Sequence, residues 1–136
     1  MGRIVLVTCL LLCAGCGGGS HDRLFEEQLD LFKETTGVLA GVKDVESARA
    51  AKPQLRDIAE RMQTLGKREK DLPPLTAEES AHLREKYKDR ALDVGKYAEE
   101  IVRLKYLASP EVKAEIDADL QNLRMESQHV QLFLKK

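Results

Sequence analysis

The chain has 136 residues, which is enough for one domain. Apolar residues make up 43%, charged residues 33% and aromatic residues 4%, a mix that excludes a disordered chain and is typical of helical proteins. Lysine and arginine number 22 against 23 aspartates and glutamates, so the net charge is −1. This balance lacks the basic excess of nucleic-acid-binding proteins, and we predict no nucleic-acid partner.

The first fifteen residues have the pattern of a secretory signal peptide. Arg3 supplies a positive start, and the run from Ile4 to Leu12 is almost entirely apolar. A membrane-spanning helix needs about 20 apolar residues, so this run is too short to be one. Small residues follow it, as at a signal cleavage site. We predict that residues 1–15 are a removed leader. The alternative, a buried strand, has no later segment that offers it a sheet.

The end of this leader reads Cys13-Ala14-Gly15-Cys16. It resembles the lipobox of bacterial lipoprotein precursors, in which a small residue and a Gly or Ala precede the modified Cys. Ala14, Gly15 and Cys16 match that pattern, whereas Cys13 stands where Leu is usual. The resemblance implies a diacylglycerol on the Cys16 sulfur and an acyl chain, such as palmitate, on the new amine. Several acyl chains on one residue anchor a protein firmly to a membrane.

Residues 16–20 are predicted to join this lipid to the folded domain through the flexible tether Gly17-Gly18-Gly19-Ser20. In Gram-negative lipoproteins an Asp after the lipidated Cys commonly retains the protein at the inner membrane. Because this chain has Gly17 there, the resemblance implies an outer-membrane protein facing the periplasm, if the source is Gram-negative. All three cysteines lie within the first 16 residues, so we expect no disulfide in the folded part.

Apolar residues then recur at steps of three and four, which predicts helices over the domain 21–136. The first helix covers about 21–40, with Leu24, Phe25, Leu29, Phe32, Thr36 and Leu39 on one face. The second begins at Asp44, a good N-cap residue, and continues to about Leu72. Pro53 interrupts its seam. The pattern indicates a kinked helix, and two helices broken near Lys52 remain an alternative.

Two more helices follow the Pro-rich loop at 72–75. Thr76 and Glu79 have the spacing of a capping box, and the third helix extends from there to about Ala108. Ser109-Pro110 begins the fourth, which continues to the end of the chain. Since the loops are short, neighbouring helices should be antiparallel. We predict an all-α, up-and-down antiparallel bundle of three to four long helices with coiled-coil-like packing.

Two Glu-x-x-His pairs raise the question of a metal site. Pairs of this kind, with single glutamates from two other helices, form di-iron centres in helical bundles. The residues concerned are Glu79, His82, Glu126 and His129, with Glu26, Glu27 and Glu69 as further glutamates. Against this, Glu79 has a capping role, and both histidines flank the apolar seam. We therefore expect solvent-facing histidines, no metal site and no cofactor. His21 has no partner visible in the sequence.

The folded part has no residues arranged for nucleophilic catalysis or phosphate binding: Gly-x-Ser-x-Gly, Ser-x-x-Lys and a phosphate-binding loop are all missing. We therefore predict a non-enzymatic lipoprotein that acts as a structural or protein-interaction module of the cell envelope. The alternatives are a metal-binding bundle and an envelope chaperone or stress sensor. The last predicts a large exposed apolar groove. Helical periodicity leaves the partner and a homo-oligomeric state open.

Overall fold

The computed structural model describes residues 18–125 and 127–134. This part of the chain is all-helical, without a strand, and confirms the predicted fold class. The α-helices are α1 (Gly18–Ala40), α2 (Val45–Lys70), α3 (Ala77–Lys86), α4 (Ala91–Val102), α5 (Pro110–Asn122) and α6 (Gln128–Leu134). A 3-10 turn at Lys88–Arg90 joins α3 to α4, and a π-helical turn at Arg103–Leu107 follows α4. Only α1 and α2 are long, so the prediction of a bundle of three to four long helices is confirmed only in part.

The predicted helix starts are confirmed by their capping contacts. Asp44 caps α2, and Thr76 caps α3 in a capping box with Glu79. Ser109 caps α5 by accepting a hydrogen bond from the backbone of Val112. These side chains satisfy backbone N–H groups that have no partner within the helix. At the N-terminus, α1 begins at Gly18, inside the segment expected to be a tether.

The helix α2 continues through Pro53 without a break. The alternative prediction, two helices separated by a break near Lys52, is therefore wrong. Proline lacks the N–H that would bond to the carbonyl of Arg49. Ala51 and Leu55 on either side of it are buried in the core. We attribute the continuity of α2 to this burial on both sides of the proline.

The prediction of a single third helix extending to Ala108 is wrong, because α3 ends at Lys86. Tyr87 departs from helical geometry, with φ −108° and ψ 15°. Its buried ring packs edge-on against Phe25, with centroids 5.1 Å apart, and its hydroxyl donates to the carbonyl of Asp22 at 3.2 Å. These contacts with α1 accompany the change of direction between α3 and α4.

The prediction of a continuous fourth helix is wrong as well, because α5 ends at Asn122 and α6 starts at Gln128. The N–H of Leu123 bonds to the carbonyl of Leu120, which tightens the end of α5. Ser127 then caps α6, since its Oγ accepts from the N–H groups of His129 at 3.2 Å and Val130 at 3.4 Å. Local hydrogen bonds therefore end one helix and begin the next.

The helix α1 packs against both α2 and α4, and α2 also packs against α5. Ion pairs of Glu27 with Arg68 and of Glu34 with Arg61 show that α1 and α2 are antiparallel. Along α4, in contrast, Tyr97 meets Phe32, and Arg103 after it meets Leu39, so α1 and α4 are parallel. The antiparallel arrangement predicted for helices joined by a short loop therefore holds for α1 and α2, whereas α1 and α4, which no loop joins directly, are parallel.

Arg103 binds backbone carbonyls at the end of α1 and in the turn that follows it. Its guanidinium donates to the carbonyl of Leu39 at 2.8 Å and to that of Val42 at 3.2 Å. The last carbonyls of a helix have no partner within it, so a cation placed there is stabilising. Among the residues described, no helix combines the length and apolar character needed to cross a membrane.

Candidate functional site

The histidines of the two Glu-x-x-His pairs lie in different surroundings. His82 is exposed, as expected, and Glu79 is held in the cap of α3. His129 is completely buried, so the expectation that it faces solvent is wrong. Glu126 and the lipidation candidate Cys16 lie outside the described residues. Within the described ranges, no group of three or more His, Cys, Asp or Glu residues is arranged to hold a metal ion.

His129 instead contacts the histidine for which the sequence showed no partner. Its Nε2 lies 2.9 Å from Nδ1 of His21, at the start of α1. The other ring nitrogen of His21, Nε2, lies 2.9 Å from the carbonyl oxygen of Pro73 in the loop before α3. Both rings are almost inaccessible to solvent, at 1% for His21 and 0% for His129. This pair therefore links α1, α6 and the loop at 72–75.

A buried carboxylate completes this polar network. Glu69 is 5% exposed. It accepts from Nε2 of Gln28 at 2.7 Å and from the backbone N–H of Gln128 at 2.7 Å. The hydroxyl of Ser127 donates to Oε1 of Gln28 at 3.1 Å. Because a buried charge is costly unless it is paired and hydrogen-bonded, these donors are what make Glu69 tolerable at this depth.

The charges near His129 act on it in opposite directions. Burial lowers the pKa of its imidazole, the Glu69 carboxylate raises it, and the His21 ring lowers it again. The carboxylate oxygen Oε2 of Glu69 lies 3.7 Å from Nδ1 of His129. The phenyl ring of Phe25 lies on another side, with its centroid 5.3 Å away. His129 is therefore a titratable group held between one carboxylate, one imidazole and an apolar surface.

The sequence contained one signal for this network. Glu69 and Ser127 occupy positions on the apolar seams of their helices, where the period of three and four places buried residues. A polar residue at such a position needs a buried partner. Their shared partner, Gln28, lies 41 residues from Glu69 and 99 residues from Ser127 along the chain, so periodicity within one helix could not identify it.

An apolar groove lies on the open side of the bundle. Since α4 packs on α1, and α5 packs on α2, the space between α4 and α5 is left uncovered. The groove has a volume of about 520 Å³. Its apolar lining consists of Phe32, Val94, Tyr97, Ala98, Ile101, Val102, Leu120, Leu123, Met125 and Val130. Residues from α1, α4, α5 and α6 therefore form one continuous surface.

Polar groups at the groove are few. The hydroxyl of Tyr97 donates to the carbonyl of Leu123, and burial raises the pKa of this phenol to about 12, so it stays a donor at neutral pH. Lys105, Asp117 and Arg124 also line the groove. Outside it, Leu92, Tyr106 and Leu107 are exposed apolar residues on α4 and the turn that follows.

Comparisons of the chain with models of protein families, with curated proteins and with solved structures found no match. The groove and the buried network are therefore the features from which a function is inferred.

Proposed function

We propose that this protein is a lipid-anchored component of the cell envelope whose helical bundle binds another protein through the apolar groove. The observation that carries the proposal is the uncovered side between α4 and α5, where Val102 is 51% exposed. In this proposal, α1, α2, α4 and α5 run alternately up and down, and the groove lies on the surface of the bundle that they form. The protein is non-enzymatic and binds no nucleic acid.

An amphipathic helix is the partner that fits this groove best. Two helices of the bundle form the walls and Phe32 contributes to the floor, so a further helix would cover the side that remains open. Helices bind such grooves through apolar residues spaced three and four apart. The partner's polar face would meet the mixed charges of Lys105, Asp117 and Arg124 at the groove.

Cys16 is the proposed attachment site of the lipid. Replacing it with serine removes the sulfur that would carry the diacylglycerol, so the variant should not incorporate palmitate and should leave the membrane fraction. Labelling with palmitate and fractionation of envelopes measure both effects. Cys9→Ser changes a cysteine outside the motif Cys13-Ala14-Gly15-Cys16; it is the matched control and should behave as wild type. Membrane association and labelling of Cys16→Ser at wild-type levels would contradict the proposed anchor.

The groove is tested by a substitution that blocks it without disturbing the core. Ala98 is exposed and lines the groove, so Ala98→Arg places a long charged side chain among its apolar residues. A photo-crosslinking residue in place of Val102 reports the bound partner. We expect Ala98→Arg to lower the yield of its partner adducts in envelopes about tenfold, equivalent to ~1.4 kcal/mol of binding free energy. Mass spectrometry of the adducts measures this yield.

The control for this experiment is Ala50→Arg, which changes an exposed alanine on α2 outside the groove. It should leave the adducts unchanged. An unchanged adduct yield in Ala98→Arg would argue against groove binding. So would a yield from the crosslinker at Val102 no higher than that from a crosslinker placed on α2.

A chaperone or stress sensor is a second candidate function, because exposed apolar residues continue beyond the groove. Leu92 is 63%, Tyr106 62% and Leu107 78% exposed. Large exposed apolar patches mark binding surfaces on soluble domains. A chaperone would crosslink to many unfolded chains and suppress their aggregation, whereas an interaction module would give one dominant partner. The pattern of adducts from Val102 separates the two.

A further inference from the structure

Three polar contacts follow one another through the buried histidines. They join the Pro73 carbonyl to Nε2 of His21 at 2.9 Å, Nδ1 of His21 to Nε2 of His129 at 2.9 Å, and Nδ1 of His129 to Oε1 of Gln28 at 3.1 Å. The orientation of the Gln28 amide is set by its donation to Glu69 at 2.7 Å. Both ends of the series are therefore carbonyl oxygens, which only accept.

Counting protons shows what this series requires. Each of the three contacts needs one proton between its two atoms, whereas two neutral imidazoles carry only two N–H groups. With both rings neutral, one contact brings two lone pairs together. One added proton satisfies all three contacts, and the resulting positive charge faces the carboxylate of Glu69, 3.7 Å from His129.

A second added proton has the opposite effect. With both rings positively charged, His21 Nδ1 and His129 Nε2 would both carry hydrogen at a separation of 2.9 Å, and neither could accept. The two like charges would also repel each other in a buried setting, where water screens them poorly. The contact of His21 with His129, which joins α1 to α6, cannot survive this state.

We propose that His21 and His129 together form a one-proton site that holds α6 on the bundle, and that uptake of a second proton releases α6. The helix has only 7 residues, so its stability depends on docking. Its Val130 lines the apolar groove. Release of α6 therefore removes part of the groove wall, whatever molecule binds there.

Other charged groups near the pair come from three directions. Glu69 of α2 faces His129. On α3, Glu78, Glu79 and His82 line a shallow pocket of about 220 Å³ together with His21. From α1, Asp22 is paired with Lys86. The Glu69 carboxylate is the charge that favours the first proton, and the imidazole of each ring opposes the second.

The direction of the pH effect follows from linkage. Burial and the neighbouring imidazole lower the pKa of His129, with Glu69 acting against them. The docked state therefore takes up the second proton at a lower pH than a released histidine, whose pKa is about 6.5. Because the docked state holds one added proton, docking is strongest near this value and is lost as the pH falls below it, where the released chain binds two.

Hydrogen exchange of the full-length protein in detergent tests the release. We expect the opening equilibrium of residues 128–134, corrected for intrinsic exchange, to rise as the pH falls below about 6.5 and to approach about tenfold per pH unit once the released histidines are both protonated, because opening then takes up one proton. In a double variant, His21→Phe with His129→Phe, this slope should disappear, because neither position can then take up a proton. His82→Asn, which removes an exposed histidine, should keep it.

Nitrogen NMR of the imidazoles counts the protons directly. At the lowest pH at which α6 stays docked, His21 and His129 should share a single added proton. A count of zero or two would overturn the one-proton site. Opening of α6 that does not depend on pH, or that keeps its slope in the double variant, would overturn the release mechanism.

Discussion

Replacing Phe25 with alanine is expected to lower the free energy of unfolding by about 3–5 kcal/mol. Phe25 is fully buried, and its ring contacts the rings of Tyr87, His129 and Phe133 with centroids 5.1, 5.3 and 5.4 Å away. These partners lie at the end of α3 and on α6. One cavity would therefore weaken the attachment of two short helices to α1.

Urea unfolding of the Phe25→Ala variant, followed by circular dichroism, measures this loss. Leu92→Ala is the control, since Leu92 is 63% exposed, and its effect should stay within about 0.5 kcal/mol. A change in Phe25→Ala no larger than that of the control would show that the aromatic cluster does not hold the domain together.

Much of the core could be predicted from local periodicity. Leu24, Phe25, Leu29, Phe32 and Leu39 were assigned to one face of the first helix, and all are buried. The caps at Asp44 and Thr76 were predictable for a similar reason, because a capping side chain bonds to backbone three residues away. Features determined within one or two helical turns are visible in a single sequence.

The breaks in the third and fourth segments were not predictable in this way. The seam of apolar residues continues through Tyr87, but the Tyr87 side chain contacts Phe25 and Asp22, which are more than 60 residues away. Likewise, the Leu123 carbonyl at the end of α5 accepts a hydrogen bond from Tyr97. Tertiary contacts of this kind override helix propensity, and no spacing within the segment encodes them.

The groove and the buried network depend on the same arrangement of helices. The parallel contact of α1 with α4 places α4 beside α1 and away from α5, which leaves the groove uncovered. The short helix α6 lies between the two features, with His129 in the network and Val130 at the groove. Periodicity assigned Val130 and Ser127 to one seam but could not show that α6 connects a titratable pair to a binding surface.

Glu69→Ala is expected to cost about 3–5 kcal/mol of unfolding free energy, because it removes the carboxylate that pairs with buried groups. The N–H of Gln128 and the amide of Gln28 each donate to Glu69 at 2.7 Å and would lose their acceptor. An unsatisfied buried donor costs about 1–3 kcal/mol. Urea unfolding at pH 7 measures the effect, with the exposed Glu60→Ala on the same helix as control.

Glu69→Gln should cost much less, about 1 kcal/mol, because an amide can replace the carboxylate once the Gln28 amide rotates. The new amide would still accept from Gln128 and would donate to Gln28 Oε1. Gln28 would then donate to Nδ1 of His129, so the three contacts through the histidines need no added proton. The docked variant should hold no added proton on its two buried imidazoles, whereas the docked wild type should hold one. Equal destabilisation by the two substitutions would show that the negative charge of Glu69, and not its hydrogen bonding, fixes the network.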